Sequence, residues 1–164
     1  MDIATEKMEE VVVRRLVEAD LQAVIQLDAK ITGRRRTEYF RLKIQESLGR
    51  TGIAVSLAAE LDSCFVGFLL ARVYHGEFGI LEPVAALDTI GVHPDFRRRG
   101  VGTALFNQLC TDLRAVGVDR LQTEAAWEDP EMLAFFQREG FRPAPRLCLD
   151  LDLTGDAGGR RERA

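Results

Sequence analysis

The chain has 164 residues, 46% hydrophobic and 29% charged, with a formal net charge of −4. That is the size and composition of one globular domain with enough apolar content to bury a core unaided. The acidic balance argues against a nucleic-acid-binding surface, the apolar runs fall short of membrane-spanning length, and the charged stretch 1–10 has no signal-peptide core. Cys64, Cys110 and Cys148 are odd in number, far apart and without a Cys-x-x-Cys pair. They support neither a disulfide framework nor a metal site, and read as small core hydrophobes in a protein of the reducing cytoplasm.

In chain order, 11–16 reads as a first strand. Asp20 is placed to cap a helix carrying Leu21, Val24, Ile25 and Ile31 at helical spacing, and Thr32-Gly33 breaks it. Arg34-Arg35-Arg36 then forms a basic triplet, read first as a solvated loop. A second helix, 37–48, sets Phe40, Ile44 and Leu48 on one face, with Gly49 and Gly52 closing it. The apolar runs 53–60 and 64–74, separated by a turn at Leu61-Asp62-Ser63, predict an antiparallel hairpin. Gly76 and Gly79 mark a loop, and Pro83 precedes a strand that ends at Val92.

After a turn at Pro94, Val101, Leu105, Leu109, Leu113 and Val116 predict a long helix stopped by Gly117. A strand is expected at 121–125. Asp129-Pro130 supplies the cap and first-turn proline of a short helix that buries Met132, Leu133 and Phe136 and ends at Gly140. Leu147, Leu149, Leu151 and Leu153 alternate with Cys148, Asp150 and Asp152, the pattern of a half-buried strand whose edge could pair with another chain, which leaves a homodimer open. The Gly- and Arg-rich residues 154–164 read as a disordered tail. The residues alone thus give an α/β or α+β domain with a largely antiparallel sheet, spanning 11–153 behind an N-terminal extension at 1–10.

Between the strand ending at Val92 and the long helix lies Arg97-Arg98-Arg99-Gly100-Val101-Gly102-Thr103. Glycines at a helix mouth let main-chain N–H groups face a ligand, and the helix start adds unpaired donors and a partial positive charge. Such a turn suits a pyrophosphate, and the arginines add phosphate-pairing groups. Neither a Gly-x-Gly-x-x-Gly nor a Gly-Lys-Ser/Thr loop is present.

The stretch Val92-His93-Pro94 followed by Arg97-x-x-Gly100-x-Gly102 resembles the acyl-CoA loop of the GNAT N-acetyltransferase superfamily. The resemblance extends over about 11–153, including Gly67 and the closing Phe135-Phe136-Gln137-Arg138-Glu139-Gly140-Phe141. It implies a mixed, mostly antiparallel sheet flanked by about four helices, and an acetyl-CoA-dependent N-acetyltransferase acting on a primary amine of a small metabolite, a protein N-terminus or a lysine. It places Ile90, Gly91 and Val92 along the pantetheine arm, the N–H groups of Arg98 to Thr103 at the pyrophosphate, and a main-chain donor near Val92 at the oxyanion. Asp129 stands where the family usually has asparagine, and can cap but not donate. Phe136 stands where many relatives have the tyrosine that protonates the thiolate. That substitution supports an alternative, an acyl-CoA-binding module with little turnover.

Direct acetyl transfer needs a neutral amine, a donor for the oxyanion and a proton for the leaving thiolate. Glu124 is the first candidate for general base, by resemblance to ribosomal-protein and protein N-terminal acetyltransferases. Among apolar neighbours its pKa would rise toward a useful value. The plainer reading is a solvent-facing glutamate. Asp88 is the second candidate, expected on the same side of its strand as Ile90 and Val92 if that strand is regular. Tyr39 is a packing residue or an acceptor contact, and His75 and His93 read as loop residues. No metal is expected.

Overall fold

The computed structural model describes residues 10–48, 55–75, 79 and 81–154. The expected helix closure at Gly49 and Gly52, the start of the first hairpin strand, Gly76, most of the N-terminal extension and nearly all of the tail lie outside these residues. Strand β1 (Val12–Arg15) leads into helices α1 (Leu21–Thr32) and α2 (Thr37–Leu48). The hairpin β2 (Leu57–Leu61) and β3 (Cys64–Tyr74) follows, then β4 (Val84–Val92), α3 (Val101–Ala115), β5 (Arg120–Thr123) and α4 (Pro130–Arg138). The sheet order is β1-β2-β3-β4-β5, antiparallel throughout except for the parallel pair β4–β5. Among the described residues no helix is long and apolar enough to cross a membrane.

Each face of the sheet is covered by helices whose apolar stripes dictate the packing. On one face Val101, Leu105, Leu109 and Leu113 of α3 and Phe136 of α4 meet Leu57, Ala59, Leu69, Ala71, Ala85 and Leu87. On the other, Val24, Ile25 and Leu27 of α1 and Phe40 and Ile44 of α2 cover Ala58, Phe68 and Leu70. The β2–β3 turn is formed by Asp62 and Ser63, at φ 48° and 63°. Two left-handed residues match the twist of a two-residue hairpin.

Asp20 holds the position before α1, but its carboxylate does not cap that helix. It accepts instead from both terminal nitrogens of Arg14 at 2.8 Å and from the Val17 N–H at 2.9 Å. Asp28, buried in α1, takes the Arg36 guanidinium at 2.9 Å through Nε, and that guanidinium also lies over the Tyr39 and Phe40 rings at 5.0 and 5.2 Å. One arginine of the basic triplet is therefore a clasp between α1 and α2.

The C-terminal expectation fails in part. Residues 147–153 form no strand, and their leucines are solvent-exposed. Cys64, at the hairpin turn, and Cys148 are exposed, so neither is a core residue, while Cys110 is half-buried. Leu133 also faces solvent, leaving Phe136 as the buried residue of α4.

Candidate active site

The sheet opens where its two parallel strands part. The β4–β5 register runs from Val84↔Arg120 to Leu87↔Thr123 and stops there, with Thr123 Oγ1 donating to the Leu87 carbonyl at 2.9 Å. Strand β5 ends at Thr123, two residues before the expected boundary, while β4 continues to Val92 against β3 alone. Residues 88–92 therefore border a gap on their β5 side. The His93 N–H donates to the Val66 carbonyl at 2.8 Å. Strand alternation then aims the main-chain groups of Val92 and Ile90 at the opposite edge, into the gap.

The chain leaves β4 through a short 3-10 turn, Pro94–Phe96, with His93 Nδ1 accepting from the Asp95 N–H at 3.2 Å. His93 Nε2 lies 3.0 Å from Lys30 Nζ, and its ring packs edge-on against Phe96. His93 thus shapes the entry to the loop. Arg98 takes φ 62° and Gly100 φ 77°. A left-handed backbone is strained for arginine and natural for glycine, so this turn is held by its surroundings.

Helix α3 begins at Val101, and the Ala104 N–H donates to the carbonyl of the N-cap Gly100 at 2.8 Å. The N–H groups of Val101, Gly102 and Thr103 precede it, forming the open, electropositive end of the helix. Arg97, Arg98 and Arg99 are exposed around it. Arg97 is 3.5 Å from Glu131, Arg99 lies over the Phe96 ring at 5.2 Å, and the Thr103 hydroxyl donates to Glu139 at 2.8 Å.

Two glycines set the spacing. A methyl group at Gly67 would lie 2.9 Å from Val101 Cγ1, so α3 starts in close contact with β3. One at Gly102 would meet the Phe135 ring at 3.2 Å and Val92 at 3.7 Å. The missing side chain of Gly102 thus makes room for α4 and β4, and does not point outward at an approaching anion.

Asp129 caps α4, accepting from the Met132 N–H at 3.0 Å, with Pro130 in the first turn. Phe136 is buried against Phe135 and Phe141, at centroid distances of 5.6 and 5.0 Å. Its neighbour Phe135 is the ring beside Gly102 and Val92. The sequence pointed to Phe136. The adjacent aromatic pair was the available signal, but which ring faces the loop depends on how α4 rolls onto the sheet.

The two candidate bases stand apart. Glu124 directly follows the last paired residue of β5 and is exposed rather than set among apolar side chains, because the strand has already ended. Asp88 sits at a bulge, since Leu87 pairs with Ala71 and Thr89 with Leu70 while Asp88 has no register partner. The extra residue reverses the alternation. Ile90 and Val92 pack on the α3 face, whereas Asp88 turns to the α2 face, 3.5 Å from both Lys43 and Arg72. Burial alone would lower the Lys43 pKa, but Asp88, Glu46 and Tyr39 together raise it. Next to Asp88, Thr89 Oγ1 is 3.1 Å from the Tyr39 hydroxyl, a pair that joins β4 to α2 and that the sequence did not reveal.

The sequence and the fold as a whole match known proteins. The GNAT acetyltransferase family model matches residues 21–141. The chain belongs to the GNAT acetyltransferase family. The solved structure of the aminoglycoside N-acetyltransferase AAC(6')-Iy in complex with CoA superposes at a TM-score of 0.75 with 21% identity, over 88% of this chain and 96% of that one. The ribosomal-protein-alanine N-acetyltransferase of Brucella melitensis biovar Abortus 2308 gives 0.69 and 20%, over 87% and 99%. The aminoglycoside 6'-N-acetyltransferase AAC(6')-Ih of Acinetobacter baumannii gives 0.71 and 20%, over 89% and 100%. These likenesses establish a shared GNAT fold.

Proposed function

We propose that this GNAT domain, residues 11–153, is an acetyl-CoA-dependent N-acetyltransferase that acts on a primary amine by direct attack. The observation that carries the reading is the parting of β4 from β5 after Leu87, with the open end of α3 beyond it. In this reading the N–H groups of residues 98–103 hold the pyrophosphate, with arginines around them for charge. The pantetheine arm lies along Ile90, Gly91 and Val92, pairing with main-chain groups as an added strand would. Asp129 orders the start of α4 beside it, and the Val92 N–H serves the oxyanion.

Glu124, exposed at the end of β5, takes the ammonium proton directly or through water, since an alkyl ammonium is mostly charged at neutral pH. Asp88 is the lesser candidate because two cations already engage it. Arg36 is committed to Asp28, so Arg34 and Arg35 remain as the exposed cations of the α1–α2 loop, which favours an acceptor with an acidic feature. A structure of the AAC(6')-Iy relative contains CoA, in keeping with CoA as this chain's co-substrate.

A second reading, an acyl-CoA-binding module with little turnover, is favoured by Phe136, a buried ring with no proton to give the thiolate. Thiol release from acetyl-CoA across a panel of amines, beside a CoA binding titration, separates the two. Release with at least one amine supports the transferase, and binding without release across the panel supports the module.

A further inference from the structure

On the α2 face the sheet runs on past its helical cover. Helices α1 and α2 pack over Ala58, Phe68 and Leu70, whereas Arg72, two residues further along β3, is exposed. Ala71, Val73, Ala85 and Leu87 pack on the α3 side, so alternation sets Arg72, Tyr74 and Ala86 on the α2 face. A hydrogen bond to Tyr74 brings Gln122 of β5 there too. Arg72 pairs with Ala86 across β3–β4, and Ala86 with Gln122 across β4–β5. The half-buried Ala86 is thus a short residue between two long ones, the floor of a notch in this face.

Tyr74 organises the rim. Its ring lies under the Arg72 guanidinium at 5.4 Å. Its hydroxyl accepts from Gln122 at 3.0 Å, which leaves the phenolic proton to donate elsewhere. Gln122 in turn accepts from the Arg146 guanidinium at 2.8 and 3.0 Å. Two guanidinium groups are therefore fixed around one tyrosine, and their charges are poorly matched. Arg146 is held by a neutral amide. Arg72 meets Asp88 only through Nε, at 3.5 Å, and Lys43, which also meets Glu46, shares that carboxylate at 3.5 Å. Among the described residues nothing engages the terminal nitrogens of Arg72, part of the fork that grips a carboxylate. Arg120, exposed and on the side of Gln122 by alternation, adds a further positive charge.

The notch has a fixed place relative to the gap. Leu87↔Thr123 is the last β4–β5 pair, and Asp88 and Glu124 follow it. Ala86 lies two residues before Asp88, and Gln122 two before Glu124, a step of roughly 7 Å along either strand. Carboxylates at the parting and guanidiniums one step back complement a molecule with an ammonium at one end and a carboxylate at the other. An α-amino acid, with both charges on one carbon, is too short to reach both ends.

Resting on the transferase reading above, we propose that the acceptor is an ω-amino carboxylate. Its anion is held over Ala86 by Arg72, Arg146 and the Tyr74 hydroxyl, and its amine lies at Glu124. Thiol-release rates compare 5-aminovalerate with pentylamine, which keeps the chain and the amine and lacks the carboxylate. The kcat/KM for 5-aminovalerate should be higher by about tenfold or more, the effect of one charge-assisted pair. Arg72→Gln and Arg146→Gln should each lower that ratio severalfold, and a ratio is insensitive to any general loss of activity. Both side chains are exposed, so neither change disturbs the core. A second arm needs no turnover: NMR follows the arginine Nε signals while the full chain is titrated with valerate, and those of Arg72 and Arg146 should move together. A valerate response at both arginines without thiol release from any amine would support the anion site and count against the transferase reading. Equal use of the two amines, a preference that survives both substitutions, or valerate leaving both arginine signals in place would overturn the proposal.

Discussion

The contact between Gly67 and the start of α3 can be tested by adding one methyl group. In Gly67→Ala the new carbon would sit 2.9 Å from Val101 Cγ1 and 3.2 Å from both the Gly91 carbonyl oxygen and Leu105 Cδ1. Val101 and Leu105 are 1% and 0% exposed, and the Gly91 oxygen belongs to a paired strand, so no neighbour can yield freely. Overpacking of this kind costs about 1–3 kcal/mol. Replacing a strand glycine returns about 0.5–1 kcal/mol through the lower entropy of the unfolded chain. Taking the middle of each range, the net is a loss of about 1 kcal/mol, or roughly 2–4 °C in Tm for a domain of this size. Because Val101 is the first residue of α3, the displacement also moves the main-chain donors of residues 101–103, so CoA affinity should fall along with stability. Thermal unfolding followed by circular dichroism and a CoA titration measure the two effects. Adding Val101→Ala removes the closest atom, and the double variant should lose less than the sum of the single losses. A Gly67→Ala protein with wild-type or higher Tm, or strict additivity in the double variant, would refute the reasoning.

Gly102→Ala needs the Phe135 ring to give by a few tenths of an ångström and should stay near wild type, because alanine favours the helix. Gly102→Val must displace that ring and press on Val92; its Tm should drop and its CoA affinity should fall at least tenfold by calorimetry. Glu124→Gln should reduce kcat about 10²-fold or more, the contribution expected of a general base, with little change in CoA affinity. Normal turnover in that variant would transfer the proton to Asp88 or water. The Arg14 guanidinium, opposed by burial and helped by the Val17 N–H, holds the Asp20 carboxyl below its usual range. Its stabilising contribution is therefore full above about pH 4, the unfolded value, and declines as pH falls through the lower folded value. In urea titrations the stability gap between wild type and Asp20→Asn should be constant from pH 5 to 7, roughly, and shrink below about pH 4.

Local chemistry made much of this molecule legible in its sequence. The apolar periods of α1, α2 and α3, the Asp129-Pro130 start of α4 and the Asp62-Ser63 turn are short-range signals, and each element formed where its signal lay. Gly100 was legible for the same reason, since its left-handed φ of 77° is a local property, whereas Gly102 is small because Phe135 and Val92 pack against it. What escaped depends on distant residues. Asp88 lies on the unexpected face because one residue of β4 bulges against β3, which no alternation count within β4 reveals. The Arg36–Asp28 clasp joins neighbouring helices, and the Tyr39–Thr89 pair joins residues 50 positions apart. Strand β5 pairs with β4 only as far as Thr123, and its end there leaves Glu124 exposed. At 147–153 the alternation pointed to a strand, but the segment forms none and its leucines are exposed.

The account depends most on the α3 N-terminus and the β4–β5 gap binding CoA. Calorimetric titration of the full chain with acetyl-CoA, paired with amide hydrogen exchange, tests this directly. The account predicts saturable one-site binding that slows exchange at residues 98–103 and along 90–92, with ADP alone binding more weakly. Absence of heat, or binding that leaves those amides exchanging at the free-protein rate, would contradict it.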